Sequence, residues 1–284
     1  MYDNHLKQIK QFAKAYHIFV SVIVVVCMFA LQFLALNVSA QVFNGDDSEY
    51  RLHMVVTECM VLIIGIMTVK RLSKVTCQHL GFVRYKAAKY FTWGILGSIA
   101  VASLVFLVNL LVHSIDITFV WQTDMVLSFI MLFVFYMVQA MFEEVMFRGY
   151  LLPQFAKVMG TFGAIIVTSG IFAILHYNNP CVTLIPFMNI FALGVMYCVL
   201  FYRTGRIWLI GAAHGMWNFM IGPVLGMNLS GMETPNLVLQ SMPNVGYTII
   251  SGGRYGLEGS LVTTILCIAI IAWFLVVPIR ETRM

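Results

Sequence analysis

The sequence predicts an all-α membrane protein, a bundle of about eight transmembrane helices with both termini cytoplasmic. Three observations carry this. Hydrophobic residues make up 61% of the 284-residue chain and charged residues only 10%, where a soluble domain carries about 25%. So few polar side chains cannot coat so apolar a chain in water. The apolar residues also form continuous runs of helical length, unlike the ~10-residue alternating segments of a transmembrane barrel. Finally, lysine and arginine sort by side of the membrane.

A span needs about 20 apolar residues. Candidates lie near 17–39, 53–69, 90–113, 127–149, 161–177, 182–202, 206–222 and 260–279. Lys7, Lys10 and Lys14 precede the first run, and Val38-Ser39-Ala40 imitates a signal-peptidase site. The run from His17 to Val38 exceeds the ~7–15 residue core of a signal peptide, so it reads as a retained helix. The second span holds Glu58, which has no sequence partner. The basic stretch from Lys70 to Lys89 reads as a topology signal facing anionic lipid. Residues 222–259 are Gly- and Met-rich and weakly charged, and read as a lid or as a surface loop lying on or dipping into the membrane. Residues 1–284 form a single transmembrane domain with a motif core at 142–218.

With the N-terminus inside, the inner segments hold Lys7, Lys10, Lys14, Lys70, Arg71, Lys74, Arg84, Lys86, Lys89, Arg148, Lys157, Arg203, Arg206, Arg280 and Arg283. The outer loops hold Arg51 and Arg254. That partition of all 17 Lys and Arg satisfies the positive-inside rule at every loop. It also removes a nucleic-acid partner, because the net charge of +5 forms no recognition surface. The six cysteines, Cys27, Cys59, Cys77, Cys181, Cys198 and Cys267, lack a C-x-x-C spacing and read as small buried hydrophobes.

Ionisable groups at the centre of a span cost roughly 2.5–3.5 kcal/mol each on insertion scales, so each needs an explanation. Glu143 and Glu144 end the fourth span. Glu144 and Arg148 stand at i, i+4 and can pair on one helix face. Glu143 lies about 100° around the helix from Glu144 and can point elsewhere. Phe172 and His176 stand at i, i+4 on the fifth span. On the seventh, His214 and Asn218 share a face, and Gly211 and Gly215 let another helix approach closely. Taken singly, an ion pair at a helix end and a packing histidine are the plainer readings. Together, on three spans, these residues fit hydrolysis: a carboxylate as general base, imidazoles to polarise, an amide to donate to an oxyanion.

Glu143-Glu144-x-x-x-Arg148, Phe172-x-x-x-His176 and His214-x-x-x-Asn218 resemble the three motifs of the CAAX protease and bacteriocin-processing (CPBP, or Abi) family of intramembrane proteases. The resemblance covers Phe142 to Asn218. It implies an eight-helix bundle and peptide-bond hydrolysis within the membrane. It also implies roles: Glu143 activates water, His176 assists, His214 and Asn218 stabilise the oxyanion, and Glu144, Arg148 and Phe172 support the site. The substrate expected is a hydrophobic or lipidated peptide: prenylated, leader or bacteriocin-type. No cofactor is favoured. Zinc is the alternative, held by Glu143, His176 and His214 with one position open for water. A non-cleaving peptide transporter or immunity protein is the rival class, though no inverted repeat supports it. The location expected is a bacterial plasma membrane.

Depth sets one further expectation. At 1.5 Å per residue, His214 lies about 12 Å from Arg206, and Glu143 matches it if Arg148 snorkels to the inner interface. The site would then lie nearer the cytoplasm. His176 comes out about 24 Å from Gly160, so the fifth helix must start later, tilt or break, with Pro153 and Gly160 the candidate break points.

Overall fold

The computed structural model describes residues 2–42, 47–235 and 237–277, and the side chains of 2–17, 47 and 48 lie outside that description. The chain is 76% helical. Two long helices come first, α1 (Tyr2–Val42) and α2 (Asp47–Ser73), followed by α3 (Ala87–Leu111). Next come α4 (Val126–Glu144), a π-helical stretch (Val145–Leu151) and α5 (Leu152–Leu175). Then follow α6 (Leu184–Thr204), α7 (Ile207–Phe219) with a second π stretch (Met220–Val224), the one-turn α8 (Thr248–Ser251), and α9 (Leu261–Val276). Among the described residues, five helical stretches are long and apolar enough to cross a membrane: Ile18–Val42, Glu49–Ser73, Ala87–Leu111, Thr123–Leu175 and Leu184–Thr204. The expected ends of the eighth span, with Arg280 and Arg283, and the side chains of Lys7, Lys10 and Lys14 lie outside the described residues.

The expected spans 127–149 and 161–177 belong to one 53-residue stretch. Straight, it would be about 80 Å long, far beyond the ~30 Å hydrocarbon core. It bends at Gly160, whose φ of 75° and ψ of 170° are not helical. Glycine adopts that backbone at little cost because it has no Cβ. The break expected at Gly160 is therefore present. Pro153 sits at the start of α5, directly after the π-helical stretch.

The fold is not purely helical. β1 (Ile115–Phe119) pairs antiparallel with β2 (Leu239–Pro243), with Ile117 opposite Ser241. Ile115, Ile117 and Thr118 are β-branched, which suits a strand, but five residues with a partner far along the chain give little periodic signal. The pair fastens the 225–260 segment to the loop after α3. That segment is packed down rather than loose: Leu225, Met227, Leu229, Leu237, Tyr255 and Leu257 are buried.

Helix α7 is held tightly between neighbours. A Cβ on Gly215 would meet the Tyr136 carbonyl oxygen at 2.8 Å and Met137 Cα at 2.9 Å, and one on Gly211 would meet Met141 Cε at 2.5 Å. The glycine face of α7 thus lies against α4, as the Gly-x-x-x-Gly spacing anticipates. This close approach brings Glu143 to the face that carries His214 and Asn218.

Candidate functional site

Both helices that meet at the site change winding just past it. The π stretch Val145–Leu151 follows Glu144 directly, and Met220–Val224 follows Phe219, one residue past Asn218. Such π segments concentrate at functional sites, where they re-aim side chains.

Glu144 is wholly buried and is the hub of the polar cluster. Its Oε1 accepts from Arg148 Nη1 at 3.0 Å and lies 2.8 Å from His214 Nδ1. A carboxylate can only accept, so His214 carries its proton on Nδ1 and turns Nε2 to the cavity. Arg148 Nη2 donates to the Gly194 carbonyl at 3.1 Å. Its guanidinium also lies over the rings of Phe147, Phe172 and Tyr197, at 5.6, 4.7 and 5.6 Å from their centroids. Arg148 is fully buried. It is therefore not the interfacial anchor that the depth argument assumed: Glu144, Gly194 and three aromatic faces hold it inside the bundle, with its Nε left without a hydrogen-bond partner.

Glu143 points away from that pair. Its Oε1 accepts from Gln139 Nε2, four residues earlier on α4. Its Oε2 lies 3.9 Å from His214 Nε2. Gln139 Oε1 in turn accepts from Asn218 Nδ2 at 3.3 Å, so one amide ties the carboxylate of α4 to the asparagine of α7. The other N–H of the Asn218 amide remains available to a ligand.

His176 caps the end of α5. Its Nδ1 donates to the Phe172 carbonyl at 2.8 Å, and its ring lies 4.6 Å from that of Phe172. Phe172 is 6.3 Å from His214, and Tyr197 stacks on His214 at 5.1 Å. The concern over the depth of His176 is thus answered. His176 lines the same cavity as Glu143 and His214, so the break at Gly160 leaves all three at one level of the bundle.

The three motifs surround one small cavity of about 70 Å³, lined by Glu143, Phe172, His176, His214 and Asn218. The rest of its lining includes Asn179 from the α5–α6 turn, and Ser230, Met232 and Glu258 from the 225–260 segment. Among the described residues, no three His, Cys, Asp or Glu side chains stand close enough together to hold a metal ion.

Two contributors escape a reading of the sequence alone. Gln139 is the first; a Gln one helical turn before Glu143 in an apolar run was the available signal. Glu258 is the second. It is buried and accepts from Trp217 Nε1 at 3.2 Å, from the Ser230 N–H at 2.8 Å and from the Ser230 hydroxyl at 2.6 Å. It pins the 225–260 segment onto α7. Glu258→Ala leaves these three donors unpaired, a cost of about 1–3 kcal/mol. Faster amide hydrogen exchange at residues 229–231 is the expected result. Unchanged exchange there would show that the segment is held by other contacts. Glu58 does not line the cavity, but it is fully buried on α2, accepts from Gln32 Nε2 at 2.8 Å and lies near enough to Glu143 for the two carboxyl groups to interact.

Residues 125–220 match the family model described as "Type II CAAX prenyl endopeptidase Rce1-like". This segment contains all three motifs, and the match is to a domain of the CAAX protease and bacteriocin-processing family. The family is one of membrane proteases, and its activity is that of an intramembrane endopeptidase. No curated protein matches the chain.

Proposed function

We propose that this protein is an eight-span intramembrane endopeptidase in which Glu143 activates the attacking water. The observation that carries this reading is the closure of all three motifs around one cavity, with a carboxylate oxygen, two imidazoles and an amide facing the same space. Glu143 Oε2 takes a proton from water as the water oxygen attacks the scissile carbonyl. The oxyanion develops toward Asn218 and toward His214, which donates from Nε2 in its cationic form while Glu144 holds Nδ1. The proton on Glu143 then passes to the leaving amine, with His176 assisting. Arg148 fixes Glu144, and so His214, without touching the substrate.

The route in is read from the lining. Asn179, Ser230, Met232 and Glu258 come from the end of the bundle opposite the basic turns that hold Lys89, Arg203 and Arg206. Under the charge-based orientation that is the outer face, which reverses the cytoplasmic entry anticipated from helix depth alone. A membrane-associated peptide approaching from that face is the substrate this geometry favours.

Purified protein assayed against a quenched peptide library tests the reading. Wild type should cleave and His176→Ala should not. Cleavage should survive stringent chelation, because no step above uses a metal. Loss of activity on chelation, restored by zinc, would replace the glutamate mechanism with the zinc one. A wild type that cleaves nothing would favour the non-cleaving peptide-binding alternative.

A further inference from the structure

A second and larger cavity, about 490 Å³, lies between α3, α6, α7 and α9. That volume is in the ~300–1,000 Å³ range of ligand sites. Its lining is almost wholly apolar. One end is marked by Lys89 and Tyr90, the other by Val101, Trp217 and Thr263. From Lys89 to Val101 is twelve residues, about 18 Å along α3. One leaflet of a ~30 Å hydrocarbon core is about 15 Å deep. The cleft therefore runs from the basic interface to the middle of the bilayer, the reach of a single acyl chain. Trp93 and Leu96 beside it on α3, and Ile268 on α9, are exposed at 60%, 56% and 59%.

Charge selects the occupant. The sequence from Cys59 to Ile115 contains no Asp or Glu, while Lys70, Arg71, Lys74, Arg84, Lys86 and Lys89 cluster at the interface end. Arg206 adds to this end: its Nη1 donates to the Tyr85 carbonyl at 2.9 Å and its guanidinium lies over Tyr90. A phosphate headgroup at this mouth has Lys89 in the lining and the basic side of the protein around it. We propose that this cleft is a binding site for one anionic phospholipid, its acyl chain laid along α3 and its phosphate at Lys89.

The far end of the chain would bear on the catalytic cavity. Tyr197 and Trp217 line both spaces. Tyr197 stacks on His214, and Trp217 donates to Glu258. An occupied cleft backs both side chains, so lipid composition bears on the orientation of His214 as well as on stability.

The test uses the full chain with Trp93, Trp121, Trp208 and Trp273 changed to Phe, leaving Trp217 as the only fluorophore. It is reconstituted in phosphatidylcholine vesicles with a minority of phosphatidylglycerol, bromine being placed on the acyl chains of one lipid at a time. Trp217 is only 4% exposed, so bromine reaches it through the cleft. Brominated phosphatidylglycerol should quench Trp217 more strongly than brominated phosphatidylcholine at equal proportion. Lys89→Gln should reduce that preference about fivefold, the equivalent of ~1 kcal/mol for one interfacial lysine. Gly97→Phe should abolish quenching; Gly97 lines the cleft and a Cβ there meets nothing within 4 Å, so a larger side chain can start into the space. Val101→Phe serves as a second filling variant. Equal quenching by the two lipids, quenching that survives both filling variants, or displacement of the lipid by a farnesylated peptide would each overturn the proposal.

Discussion

Glu143→Gln is expected to lower peptide cleavage about 10²–10⁴-fold, the contribution typical of a positioned general base, while leaving a folded protein. The amide keeps the shape of the carboxylate and retains an oxygen to accept from Gln139, so α4 and its packing against α7 are undisturbed. The ability to take a proton from water is what disappears. Measured as kcat at saturating peptide, the loss should fall on turnover rather than on KM, because the group acts in the transition state. Gln139→Ala provides the graded comparison. It frees Glu143 and Asn218 from their shared tether and should reduce kcat by less than Glu143→Gln does. A Glu143→Gln protein that turns over at the wild-type rate would move the base elsewhere in the cavity.

The parts of this site that were legible in the sequence are those set by local spacing. Glu144 and Arg148 pair because i, i+4 neighbours on a helix must meet, and the glycine face of α7 meets α4 because small residues permit it. The bend at Gly160 was legible because a straight helix starting there would carry His176 too far from the other motifs. What was not legible depends on the third dimension. Glu258 is a lone carboxylate in a weakly charged loop, and only the β1–β2 pairing and the packing of Tyr255 and Leu257 return it to α7. Arg148 reads as a snorkelling cation by rule. Its burial follows from Gly194 and the rings of Phe172 and Tyr197, which lie on other helices. The entry proposed above, from the end opposite the basic turns, likewise rests on which loops line the cavity, and helix depth says nothing of that.

The second large effect concerns Arg148. Arg148→Met should destabilise the protein by about 3–5 kcal/mol, because it leaves the Glu144 charge buried with its main counter-ion gone. The partner is fully buried and cannot recover solvent. Arg148→Lys should rescue little, since an ammonium does not span Glu144 Oε1 and the Gly194 carbonyl as the fork of the guanidinium does. The informative variant is the double one, Glu144→Leu with Arg148→Met. Removing both charges removes the desolvation penalty along with the attraction, so this protein should melt closer to wild type than Arg148→Met alone. Its activity should nevertheless stay low, because His214 Nδ1 has lost the acceptor that orients it. Thermal unfolding of the four proteins of the cycle in detergent, read beside peptide cleavage, separates the two roles. Stability returning without activity identifies the pair as the device that aims His214. Both returning together would mean that the ion pair only holds the helix.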